Sequence, residues 1–271
     1  MSDPETKAMI RTDDGTTLSY RTRGDGPRNL LFVHGWGGAG TGFFWNELIE
    51  ALDLSGLRVI LADLRGHGES DKAATGYTTE RFAQDMFAVA DAAGAERLVL
   101  VAYSMSGRWG QWMACTQPER VVGQILIAPV PAADIPFPDE VKEQWLQVAR
   151  EKTMATFDPW VHQFTHARLR PEILQAYFDS LTTTPELSLG ATLDMCRQQG
   201  QFMDRLSAIR AATLVIGGRH DPMLPPELLR QAIVNPIAGA RLATLDCGHE
   251  IPLEQPQETA ALIEAFLAGL R

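Results

Sequence analysis

The chain has 271 residues, 45% of them hydrophobic and 21% charged, and a formal charge of −10 at pH 7. That supplies one sizeable core and favours a single domain carrying an insertion over two equal domains. An acidic balance argues against nucleic acid or an anionic membrane as the main partner, since both reward a basic surface. Apolar runs such as Leu98–Ala102 and Ile125–Val130 fall far short of a membrane span.

The mixed-charge opening, residues 1–15, has no signal-peptide pattern. Cys115, Cys196 and Cys247 are odd in number and form no C-x-x-C pair, which suits free thiols better than a disulfide framework or a zinc site. The expectation is a cytoplasmic monomer or homodimer acting on a small molecule, with no metal and no cofactor.

In chain order, Met9–Thr12 and Thr17–Thr22 flank Asp13-Asp14-Gly15 and read as a hairpin with an Asp-Gly turn. Leu30–Val33, Val59–Ala62, Leu98–Ala102, Val122–Ala128 and Thr213–Ile216 are nearly continuous apolar runs, as expected of parallel strands buried on both faces. Helix-patterned segments alternate with them at Trp45–Leu52, Thr79–Ala93, Ser106–Thr116, Pro226–Ile233 and Gln257–Leu270. Such alternation predicts an α/β fold: a mostly parallel sheet with helices on both faces and an antiparallel lead-in. One stretch departs from it. Ala132–Leu206 holds no strand pattern, only proline-punctuated helix pattern, and is predicted to form a helical cap over a core made of residues 1–131 and 207–271.

The chemistry starts at the run Leu98 to Gly107, where a buried strand meets Ser104 and then a helix start. A nucleophile there sits on a strained strand-to-helix turn that lifts its hydroxyl above the sheet edge and tolerates only small flanking residues. Ala102 and Ser106 are small, though neither is the glycine of G-x-S-x-G. Ser106 is the weaker candidate because Arg108 would then crowd the turn. A serine that merely caps a helix is the bland alternative.

His34-Gly35-Trp36-Gly37-Gly38 follows the strand Leu30–Val33. The backbone N–H groups of Trp36 and Met105 are the natural pair to hold an oxyanion, with His34 read as structural. Among six histidines, His249 lies after the last strand and before the final helix, and Asp221 ends the preceding strand. Loops at strand carboxyl ends are where open α/β sheets bind ligands. The order Ser104, Asp221, His249 is the order expected for a nucleophile of this kind. Asp63 is read as bracing its own loop, and Asp246 as too close in sequence to His249 to orient it.

With these residues in place the chain resembles the α/β-hydrolase family. Asp63-Leu64-Arg65-Gly66-His67-Gly68-Glu69-Ser70 is similar to its D-x-R-G-x-G-x-S loop. Gly248-His249 through Pro252-Leu253-Glu254-Gln255-Pro256 is similar to its histidine loop, and Gln117-Pro118-Glu119-Arg120-Val121 to the exit from its nucleophile helix. The likeness runs from Thr17 onward and thins across Ala132–Leu206. It implies an eight-stranded sheet with a helical cap, and a serine hydrolase acting on an ester or related acyl bond. Ser104 in place of aspartate argues against dehalogenase or epoxide-hydrolase chemistry. Gly37, where haloperoxidase-like or perhydrolase relatives often have proline, puts a peroxide side activity in doubt, although perhydrolysis shares the same machinery. Carbon–carbon bond, lactone or amide hydrolysis share the machinery, and a ligand-binding receptor on the same fold is an alternative of another class.

For substrate binding, Trp36, Tyr103, Trp145, Trp160 and Phe164 are the candidates, with Met154, Phe157, Tyr177, Phe178, Met195, Phe202 and Met203 as further cap residues able to line a pocket or to pack the cap. Arg150, Arg168, Arg170 and Arg197 are expected to be solvated rather than substrate anchors.

Overall fold

The computed structural model describes residues 5–37, 42–198 and 200–270. Eight strands among these form one sheet: β1 (Thr6–Arg11), β2 (Thr17–Arg23), β3 (Arg28–Val33), β4 (Leu57–Ala62), β5 (Leu98–Tyr103), β6 (Val121–Ile127), β7 (Ala212–Gly218) and β8 (Arg241–Leu245). Their spatial order is β1-β2-β4-β3-β5-β6-β7-β8. Only the β1–β2 and β2–β4 pairings are antiparallel; the rest are parallel. Burial explains the sequence pattern. All six residues of central β5 are buried, whereas edge strand β1 has no buried residue and alternates in exposure. The lead-in hairpin turns through residues 12–16, with Gly15 at φ +86°.

The helices α1 (Asn46–Ala51), α2 (Thr79–Ala92) and α3 (Ser106–Thr116) fall where the pattern placed them. Next come α4 (Asp139–Glu151), α5 (Met154–Val161), α6 (Pro171–Thr183) and α7 (Glu186–Gln198), all between β6 and β7. The chain closes with α8 (Pro226–Leu229), a π turn over Arg230–Val234, α9 (Ile251–Glu254) and α10 (Pro256–Gly269). α1 packs on α10, and α2 on α3, as two helical layers. No helix among the described residues is long and apolar enough to cross a membrane. The three thiols are free, with Cys196 and Cys247 buried.

The chain runs from β3 outward to β4 on one side and then returns to β5 on the other, so the carboxyl ends of β3 and β5 border a topological switch point. That is the crevice where sheets of this kind receive ligands. Arg108, fully buried on α3, holds the ends of the α4–α7 insertion there. Its guanidinium donates to the carbonyls of Ala133 at 2.7 Å and Gly200 at 2.6 Å, and to the Asp134 carboxylate at 3.0 Å.

Candidate active site

β5 ends at Tyr103, and the next residue, Ser104, has φ +53°. A non-glycine residue in that region is strained, and the strain turns its side chain out of the strand line toward the sheet's carboxyl edge. The loop after β3 runs against it: a Cβ on Gly35 would lie 2.9 Å from Ser104 Cβ, so only glycine permits the approach. Trp36, next in that loop, and Met105, next after Ser104, both line the same cavity as Ser104. Met105 immediately precedes α3, where the first N–H groups of a helix lack internal acceptors. These two backbone positions suit oxyanion donors. Gly38 lies outside the described residues.

Ser104, His249 and Asp221 form one row. The Ser104 hydroxyl donates to His249 Nε2 at 2.9 Å, and His249 Nδ1–H donates to Asp221 Oδ2 at 2.7 Å. The other Asp221 oxygen accepts the N–H groups of Met223 at 2.9 Å and Leu224 at 3.0 Å, which fixes the carboxylate's plane. All three residues are buried, yet Ser104 and His249 both reach the cavity. Burial alone would raise the Asp221 carboxyl; the His249 charge and hydrogen bond, with the two backbone N–H groups, outweigh it and hold it below the usual range. Burial likewise opposes an imidazolium at His249, and the Asp221 charge and hydrogen bond, helped by Glu250, overcome it and raise the imidazole above 6.5.

The remaining polar residues singled out in the sequence have other tasks. Ser106 is fully buried; its hydroxyl donates to Val33 O at 2.7 Å and accepts the Tyr103 N–H at 2.8 Å, tying β5 to β3. That occupation, rather than a clash with Arg108, removes it as a nucleophile. His34 donates from Nδ1 to Gly35 O at 2.8 Å and accepts the Leu64 N–H at Nε2, and burial depresses its imidazole strongly. Asp63 accepts the Glu69 N–H at 3.0 Å within its own loop. Asp246 pairs with His220 at 2.9 Å.

The cavity is about 270 Å³. Trp36, Tyr103, Trp145, Trp160 and Phe164 all line it, together with Tyr177 from the wider set of cap candidates. Met154, Phe157, Phe178, Met195, Phe202 and Met203 are not among its lining residues. Phe157 instead packs between Trp160, Tyr177 and Phe178, and Phe202 sits edge-on to Trp112. None of Arg150, Arg168, Arg170 and Arg197 lines the cavity, although Arg197 is 12% exposed and lies over the ring of the wall residue Phe137, 5.1 Å from its centroid.

Two glutamates went unrecognised in the sequence. Glu254 accepts the N–H groups of Gly248, His166 and Ala167, joining the histidine loop to the segment after α5. Glu250 is buried against the cavity and accepts the hydroxyls of Tyr103 at 2.7 Å and Tyr177 at 3.1 Å. An acid directly after His249 was the only available signal, because the tyrosines that receive it come from distant parts of the chain.

A family model described as alpha/beta hydrolase fold matches residues 28–256. The chain belongs to that family. A 2-hydroxy-6-oxononadienedioate/2-hydroxy-6-oxononatrienedioate hydrolase from Paraburkholderia xenovorans (strain LB400) is 26% identical, over 99% of this chain and 97% of that protein. A thermophilic esterase from Thermogutta terrifontis is 25% identical, with a TM-score of 0.80 covering 98% of this chain and 99% of that one. The Exiguobacterium antarcticum esterase superposes with a TM-score of 0.86 over 97% of this chain and 99% of the other, at 21% identity, and so shares the fold.

Proposed function

We propose that this α/β-hydrolase is a serine hydrolase that cleaves a carboxylic ester, or a related acyl bond, of a small and largely apolar substrate. The observation that carries the reading is the hydrogen-bonded row Ser104–His249–Asp221 on a strained turn, opening into an aromatic cavity. His249 accepts the Ser104 proton as the hydroxyl oxygen attacks the acyl carbon, and Asp221 stabilises the imidazolium that forms. The N–H groups of Trp36 and Met105 hold the oxyanion. The imidazolium then protonates the leaving group. A water deprotonated by His249 attacks the acyl-enzyme, and collapse of that second intermediate returns the proton to Ser104.

Residues 132–206 act as the cap, supplying Trp145, Trp160, Phe164 and Tyr177 to the substrate cavity. No metal or cofactor is needed for these steps, because nucleophile, base and oxyanion donors all come from the chain. Two buried thiols and one half-buried thiol, all free, support a reducing cytoplasm as its setting.

A second reading, hydrolysis of a carbon–carbon bond, is favoured by the name of the Paraburkholderia relative. That name denotes a dioate, a substrate with two carboxylates, whereas no lysine or arginine is among the described residues lining this cavity. The ester reading therefore comes first.

A panel of short p-nitrophenyl esters, lactones and a vinylogous diketone tests the two readings. Esters or lactones are expected to turn over. Asp221→Asn is expected to lower their kcat by about 10⁴-fold. Turnover of the diketone with no ester or lactone cleaved would contradict the first reading and favour the second, and wild-type turnover in the Asp221 variant would remove that residue from its role.

A further inference from the structure

Glu250 is a buried acid in the wall of a largely aromatic and aliphatic cavity, and the proposed mechanism does not use it. Each of its oxygens takes one tyrosine hydroxyl, Tyr103 on Oε2 and Tyr177 on Oε1, which leaves acceptor capacity on both. Among the described lining residues, His249 is the only other side chain able to carry charge near neutral pH, and it is neutral while it waits as a base. Asp221 behind it is ionised. Glu250 therefore faces the cavity with, among the described lining residues, no lysine or arginine to offset it. The aromatic wall adds to this. Trp36, Trp145 and Trp160 cluster with ring centroids 5.4, 6.0 and 6.0 Å apart, and Phe164 lies 5.2 Å from Trp160. Ring faces attract cations, whereas an anion is met only by ring edges and indole N–H groups, such as the unpartnered Trp160 Nε1–H.

We propose that Glu250 is a specificity-determining residue that sets the charge of the substrate: a carboxylate on the group entering the cavity is rejected, and an ammonium group is preferred over a neutral one. The assignment rests on the hydrolase reading of the site, since it concerns what that site accepts. A second carboxylate brought into this low-dielectric space meets Glu250 with little screening by water, whereas a quaternary ammonium meets that carboxylate within an aromatic wall. Burial keeps the Glu250 carboxyl above its usual range, against the pull of His249 and the two tyrosines, so the comparison is made on the alkaline side of neutrality, at pH 8.

Three p-nitrophenyl esters of matched length provide the test: hexanoate, the monoester of adipic acid, and 5-(trimethylammonio)pentanoate, each rate normalised to its hydroxide-catalysed hydrolysis. The expected kcat/KM order is ammonium, then neutral, then carboxylate, with at least about tenfold between the last two. Glu250→Gln is expected to shrink that last gap by about tenfold. Should the variant not fold, the wild-type ratio alone decides, because an adipate monoester cleaved as well as hexanoate overturns the proposal. So does a folded Glu250→Gln protein with an unchanged ratio. Calorimetric binding of the three corresponding amides to Ser104→Ala protein gives the same ranking without turnover. Failure of wild-type protein to cleave any ester thus counts against the hydrolase reading, while the binding order still decides the charge assignment.

Discussion

The two halves of the site are built by different means. On the sheet side, backbone constraints hold the proposed catalytic groups: Ser104 at φ +53°, Gly35 pressed to Ser104, and Asp221 pinned by two N–H groups. On the insertion side, side-chain contacts do the holding: aromatic rings packed on one another, and Arg108, Glu250 and Glu254 reaching across from the core. The first kind of constraint places a reacting atom to within tenths of an ångström. The second sets which molecule fits, and it can change without disturbing the first.

The sharpest test of this division is Ser104→Ala. It is expected to lower kcat by about 10⁴–10⁶-fold while the protein unfolds at the same temperature or slightly higher, since only one hydroxyl is removed. A large loss of thermal stability would show that the row is structural rather than chemical.

Gly248→Ala probes the seam between the halves. Its Cβ would lie 2.2 Å from Phe164 O, and the His249 N–H donates to that same carbonyl at 2.6 Å. Displacing His249 by even 1 Å is expected to cost about 100-fold in kcat. An unaffected kcat would mean that the segment after α5 yields without moving the histidine.

Arg108→Met removes a buried guanidinium from a carboxylate and carbonyls at the two ends of the insertion. A loss of about 2–3 kcal/mol in denaturant unfolding is expected, discounted because Asp134 keeps partial access to water. Retained stability would assign the insertion's anchorage to its aromatic packing alone.

The pH profile sharpens the comparison further. His249 must be neutral to accept a proton, and its imidazole is held above 6.5, so the acid limb of kcat/KM is expected to have its midpoint above 6.5. Glu250 is one of the charges that raise it, so Glu250→Gln should move the midpoint down. A midpoint that stays put would mean that Glu250 does not sense the imidazole. Smallest of all, Glu254→Gln weakens three backbone contacts across the seam and is expected to lower Tm by about 2–4 °C. No change would leave the seam to the His249–Phe164 contact.

The same division governs what could be read from the chain. Leu98–Ala102 announces a strand buried on both faces, and a small-residue turn with serine follows it. Ser104, Asp221 and His249 could be placed because each lies at a strand's carboxyl end, a property of local pattern and order. The aromatic pocket residues of the insertion could be nominated but not sorted. Trp160 faces the cavity while Phe157, three residues earlier, packs among its neighbours, and only the tertiary placement of α5 separates them. Arg108 looked like an obstacle beside the turn and proved to be the insertion's anchor. Glu250 was illegible for a related reason: its tyrosine partners lie 147 and 73 residues away, and no local period marks such a meeting.

The central claim is that Ser104 Oγ is the nucleophile. Its most direct test is incubation of the wild-type protein with a fluorophosphonate, followed by intact-mass measurement and peptide mapping. The account predicts a single phosphonyl adduct on the peptide containing Ser104, absent in Ser104→Ala and slowed in Asp221→Asn. An adduct on another residue, or a folded protein that turns over esters yet never labels, would contradict it.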